Sequence, residues 1–196
     1  IMETLSKNGS GNYAYINNAS TANKVLVEEL SSNLFVVAED VKTQIEFNPE
    51  NVSSYRLIGY ENCMLRNEDF NDDTVDAGEI GVGTDAVLMF EFAMKGEDNS
   101  SLKYGSNIVE RIESGSYVDE LFEVRIRYKN PGEDESNLLL HPATFSHLAS
   151  TSSNDYNFAS SVVAFAHILR GSEYQPELTV DEIAHIAGSN KGKDKN

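Results

Sequence analysis

Val41-Lys42-Thr43-Gln44-Ile45-Glu46-Phe47 sets the fold class. Core-forming or β-branched side chains stand at every second position, with polar ones between. That period of two puts one set on a buried face and the other toward water, the signature of a half-buried strand within residues 35–47. Residues 121–128 repeat it, with Phe122, Val124, Ile126 and Tyr128 alternating, and Asn130-Pro131-Gly132 ends that run as a turn. Residues 55–60 and 86–94 read as two further strands, the second apolar enough to be buried on both faces. Residues 138–145 are a fifth, weakened by Pro142. Residues 96–120 fit no element clearly.

The period changes to 3.6 at both ends. Ala22, Leu26, Leu30 and Leu34 fall on one face of a helix over about 20–34. Phe158, Val162, Phe165 and Leu169 define a helix over 154–170, stopped by Gly171, with its apolar face expected to be buried against the sheet. Thr179 and Glu182 form a capping-box pattern at the head of a helix over 179–187. The expected architecture is α+β: a mainly antiparallel β-sheet or sandwich, flanked by one N-terminal and two C-terminal helices. Residues 189–196 are expected to be a disordered tail.

The totals narrow the function classes. A chain of 196 residues can bury a core without metal or disulfide. A formal net charge of −17 repels phosphate backbones and anionic bilayers, which disfavours a nucleic-acid partner and direct membrane contact. No apolar run reaches the length of a membrane span. The lone Cys63 excludes an internal disulfide and a paired-cysteine zinc site, and is compatible with both cytosol and envelope. No signal peptide is present, and Ile1 is expected to be an internal position of a longer protein.

Residues 69–79 carry the strongest chemical signal. Asp69, Asn71 and Asp73 place oxygen ligands at positions one, three and five of a loop, a spacing that suits Ca²⁺ and its roughly six to eight oxygens. Thr74 stands where an EF-hand needs glycine, and Ile80 where it needs a bidentate glutamate. The competing reading is an acidic, solvated turn between strands. Gly81-Val82-Gly83-Thr84-Asp85-Ala86 has the spacing of a dinucleotide fingerprint, but a strand follows it and not the required helix. His141, His147, His167 and His185 share no metal-ligand spacing, and no nucleophile elbow is present, so a hydrolase reading lacks its nucleophile.

Together, residues 11–16, 22–30, 41–49, 55–62 and 68–81, with Arg127-Tyr128-Lys129 and residues 158–170, resemble the C-terminal part of bacterial von Willebrand factor type A (VWA) proteins of the YfbK type. Residues 96–120 are longer than is usual for the family, and Thr84 stands where a histidine is expected. The resemblance implies that residues 1–34 are the terminal strand and helix of a VWA domain, followed by a C-terminal β-rich domain over 35–188. It implies an envelope location, periplasmic or surface-exposed, and Mg²⁺-dependent protein binding through a DxSxS motif. No DxSxS occurs in these residues, so no Mg²⁺ ligand carries over, and no catalytic residue is implied.

The leading expectation is a non-enzymatic protein-binding or assembly module whose partners are another protein and the rest of its own VWA domain. The alternative is a scaffold subunit of a metal-chelating or chaperone-type machine.

Overall fold

A computed structural model describes residues 14–28, 34–60, 64–95 and 117–192. The chain divides into two compact units, residues 1–145 and 146–196.

The first unit is built from strands β1 (Val36–Phe47), β2 (Val52–Ile58), β3 (Gly78–Gly81), β4 (Met89–Met94), β5 (Glu120–Lys129) and β6 (Asn137–Thr144). They form a four-stranded sheet in the order β3-β1-β5-β6 and a two-stranded sheet of β2 and β4. Every pairing is antiparallel. The α+β class with antiparallel sheets is thus the observed one.

The alternation in β1 becomes packing. Phe47 lies opposite Phe122, Ile45 opposite Val124 and Thr43 opposite Ile126, so these residues share one face. Lys42, Gln44 and Glu46 share the other face with Arg127, Arg125 and Glu123. On the first face, the Phe47 ring stacks on Tyr55 of β2 with centroids 4.2 Å apart. It also meets Phe90 and Phe92 of β4 and Phe122 of β5 at 5.8, 5.9 and 5.4 Å. These tilted rings close the two sheets into a small sandwich, the geometry that aromatic quadrupoles favour.

The turn between β1 and β2 carries the chain from one sheet to the other. Asn48 Nδ2 donates to the carbonyls of Tyr117 and Glu120 at 3.0 and 2.9 Å. Asn51 Nδ2 donates to those of Val118 and Glu120 at 2.9 and 2.7 Å. The two amides therefore fix the corner to the entry of β5.

Three local differences from the sequence reading have physical causes. Residues 86–88 lie outside β4, whose expected burial on both faces does not occur, because β4 pairs with β2 alone. β3 falls at the junction of the acidic stretch and the dinucleotide-like stretch, where the sequence signals no strand. Its carbonyls and amides pair with β1 although its side chains carry little β signal, and Gly83 turns the chain at φ 74°. β1 contains an additional residue at Asp40 against both neighbours: the four residues Ala38 to Val41 face three on β3, Gly78 to Ile80, and the four residues Glu39 to Lys42 face three on β5, Arg127 to Lys129. This bulge holds Asp40 at φ 51°, a region aspartate tolerates better than most residues.

Ahead of β1, α1 (Ala19–Asn23) starts on Asn18, whose Oδ1 accepts from Thr21 N at 2.8 Å. It continues as a π-helical turn, Lys24–Glu28. Much of the rest of the helix expected over 20–34, residues 29–33, lies outside the described residues.

The second unit is a pair of packed helices, α2 (Asn154–Arg170) and α3 (Val180–Asn190). Ser153 caps α2, and Gly171 ends it in the left-handed region at φ 62°. The capping box of Thr179 and Glu182 is formed in full. Ile183 is the buried residue of α3, and Ser161 that of α2. Phe158, Val162, Phe165 and Leu169 are exposed, with Phe165 at 42% and Leu169 at 71%, so the packing of α2 on α3 within this unit does not bury that face. α3 runs to Asn190, whose Nδ2 donates to Ile186 O at 2.8 Å, so Ser189 and Asn190 belong to the helix and not to the tail. Residues 193–196 lie outside the described residues.

Candidate functional site

The polar face of the large sheet carries four cations: Lys42 on β1, and Arg125, Arg127 and Lys129 on β5. Strand periodicity puts them there, since Arg125, Arg127 and Lys129 are two apart and Lys42 lies opposite Arg127. Above them sits the acidic loop. A 3₁₀ turn, Asn67–Asn71, points Phe70 down, where it is 4% exposed. The Arg125 and Arg127 guanidinium carbons lie 6.0 and 5.7 Å from its ring centroid, within cation–π range.

The loop is held mainly through these cations. Lys42, 3% exposed, donates its ammonium to Asp72 O. Lys129 Nζ donates to Asp73 O at 2.8 Å and to Asp40 Oδ2 at 2.7 Å. Arg127 Nε donates to Asn71 Oδ1 at 3.2 Å, and its Nη1 to Ser136 Oγ at 2.9 Å. Asp40 Oδ1 accepts from Ala77 N at 3.1 Å, which ties the far end of the loop to the β1 bulge. Among the described residues, these bonds join β1, β5, the loop and the β5–β6 turn into one network.

The three candidate Ca²⁺ ligands belong to this assembly and face different donors. Asp69 Oδ1 and Oδ2 accept from Arg66 at 2.8 and 3.0 Å. Asn71 accepts from Arg127. Asp73 Oδ2 accepts from Ser136 N at 3.2 Å. Asp72 Oδ1, between them, accepts from Thr74 N and Oγ1 at 2.9 and 2.6 Å. Among the described residues, no group of three or more histidines, cysteines, aspartates or glutamates is placed to hold a metal.

The electrostatics follow from these partners. The bonds from Arg66 hold the Asp69 carboxyl below its ordinary range, as Thr74 does for Asp72 and Ser136 for Asp73. Burial opposes ionisation of Asp40, but the Lys129 ammonium and the Ala77 amide outweigh it and the carboxyl is also lowered. Asp40 in turn raises Lys129.

The other motifs separate. His141 lies on β6, His147 in a 3₁₀ turn after it, His167 on α2 and His185 on α3. Cys63 lies outside the described residues. The Gly81–Ala86 stretch ends β3 and turns toward β4, with Val82 N donating to Phe35 O at 2.9 Å, so no helix N-terminus follows it. An open hollow of about 390 Å³ on α3 is lined by Leu178, Asp181, Glu182, His185 and Ile186, and the Glu182 carboxylate there is taken up by the capping box. The sequence reading missed Lys42, Arg127 and Lys129. Their signal was the alternation of cations on one strand face in a chain with 15 basic and 32 acidic residues.

A family profile described as "Uncharacterized protein YfbK, C-terminal" matches residues 32–196. The chain is 40% identical over 196 residues to "Uncharacterized protein YfbK" of Escherichia coli (strain K12), covering 99% of this chain and 33% of that relative. It therefore spans about a third of the relative's length. No solved structure matches significantly. Among the described residues, no helix is long and apolar enough to cross a membrane.

Proposed function

The chain belongs to the family of YfbK C-terminal domains, and on that premise we propose that it is a non-enzymatic protein-binding or assembly module of a bacterial envelope protein that also carries a VWA domain. The observation that supports this reading is exposed apolar surface. Leu138, Leu139 and Leu140 of β6 are exposed, and so are Phe158, Val162, Phe165 and Leu169 of α2. Clustered exposed apolar side chains on a strongly charged chain mark surfaces that another protein covers. The acidic loop acts in the opposite sense. Its polar groups serve as internal fastenings, so its role is to brace the sheet that presents β6.

The test is affinity purification of the full-length protein with and without residues 36–192, each in Mg²⁺ and in chelator. Deletion is expected to remove specific co-purifying proteins. An unchanged set would overturn the proposal.

A further inference from the structure

β6 is the outer strand of its sheet: β5 pairs one side, and no described strand pairs the other. Such an edge presents N–H and C=O groups that an added strand can satisfy. Proteins commonly blunt exposed edges with charge or proline. Here a proline, Pro142, stands only in the far half of the strand, and the first half is Leu138-Leu139-Leu140, exposed by 40%, 52% and 52%. Neighbouring strand residues point to opposite faces, so Leu138 and Leu140 share one face and Leu139 occupies the other. An incoming strand would find apolar neighbours on both.

Charge defines the ends. Glu133-Asp134-Glu135, all exposed, precede β6. Asp119, also exposed, lies at its other end, where Phe145 N donates to Asp119 O at 3.1 Å. None of these four carboxylates forms an ion pair with a described residue. In the acidic loop, by contrast, Asp69 pairs with Arg66, and Lys42 and Lys129 bind the carbonyls of Asp72 and Asp73.

Resting on the module reading above, we infer that the free edge of β6 docks an extended segment of another protein, with a continuous run of apolar side chains in its middle, matching Leu138–Leu140 on both faces, and lysine or arginine at both ends. A second copy of this chain is the wrong occupant. Antiparallel pairing of β6 with itself would set Glu133–Glu135 of each copy near Asp119 of the other, like charge on like, between molecules that each carry −17.

The probe is a labelled synthetic peptide with its valines grouped at the centre between threonines and two lysines at each end, titrated by fluorescence anisotropy against the whole chain. Two controls accompany it: the same composition with each valine separated from the next by a threonine, and the same valine run with glutamate ends. The grouped-valine, lysine-ended peptide is expected to bind at least about tenfold more tightly than either control and to slow amide exchange within residues 137–144. Leu139→Lys, at a half-exposed position that should not disturb folding, is expected to weaken binding about tenfold or more. Equal binding of either control, no effect of Leu139→Lys, or no binding at all would overturn the inference. If deleting residues 36–192 removes co-purifying proteins while Leu139→Lys in the full-length protein retains them, the edge inference falls alone and the module reading stands. If the deletion removes none, the module reading falls.

Discussion

The Asp40 carboxylate of β1 accepts a hydrogen bond from Lys129 Nζ of β5 at 2.7 Å, with both side chains mostly withdrawn from water. The bulge produces this contact. One additional residue in β1 turns the Asp40 backbone to φ 51°, and the carboxylate then reaches both the cation below and Ala77 N in the loop above. A strand irregularity thus fastens the loop to the sheet.

Replacing Asp40 by alanine should cost about 1.5–3 kcal/mol, as expected for losing hydrogen bonds to a charged group. Asp40→Asn should cost less, because asparagine tolerates the same backbone region and can still accept from Ala77 N. Urea unfolding of both variants, with Lys129→Met and the double mutants, gives the coupling energy. A coupling indistinguishable from zero would mean that the pair does not fasten the loop.

The depressed carboxyls set an acid limit on stability. Asp40, Asp69, Asp72 and Asp73 all titrate lower in the folded chain than in the unfolded one. Their stabilisation is therefore fully present above the unfolded value near pH 4, and it is lost as pH falls through the folded values. Lys129 acts in the opposite sense: raised by Asp40, it stabilises below its unfolded value and loses that contribution as pH rises through the folded one. Below about pH 4 the difference in melting temperature between the native chain and Asp73→Asn should shrink. A constant difference across that window would show that the Asp73 carboxylate contributes nothing specific.

Calcium should leave the melting temperature unchanged. Asp69, Asn71 and Asp73 already accept from Arg66, Arg127 and Ser136, and a cation would have to displace those donors among guanidinium and ammonium groups of like charge. A millimolar Ca²⁺ titration followed by differential scanning fluorimetry checks this. A rise of several degrees, abolished by Asp73→Asn, would restore the Ca²⁺-loop reading.

The sheet was legible where side chains alternate, because β1 and β5 display their two faces in residue type. β3 was not, since Gly78-Glu79-Ile80-Gly81 pairs through its backbone, and a backbone ladder leaves little trace in composition. The loop was recognised from its own residues, but its function as a fastened brace depends on Lys42, 30 positions from Asp72, and Lys129, 56 positions from Asp73. Local spacing could not assign those partners. The exposed stripe on α2 shows a further limit: a helical period of 3.6 identifies an apolar face but not what covers it.

Phe47 provides the test of the sandwich itself. Four rings from three other strands meet it, and it is buried although Tyr55, stacked on it, remains 61% exposed. Phe47→Ala should cost about 3–5 kcal/mol, because the void lies between two sheets whose strands are fixed by their ladders and can collapse only in part. Tyr55→Ala removes a ring already largely in water and should cost clearly less. Phe47→Leu should fall between them, keeping part of the volume but losing the ring geometry. Equilibrium unfolding in urea, followed by tyrosine fluorescence and far-ultraviolet circular dichroism, gives the order. If Tyr55→Ala proves as costly as Phe47→Ala, the half-exposed ring carries as much of the closure as the buried one, and Phe47 is not the centre of the unit's core.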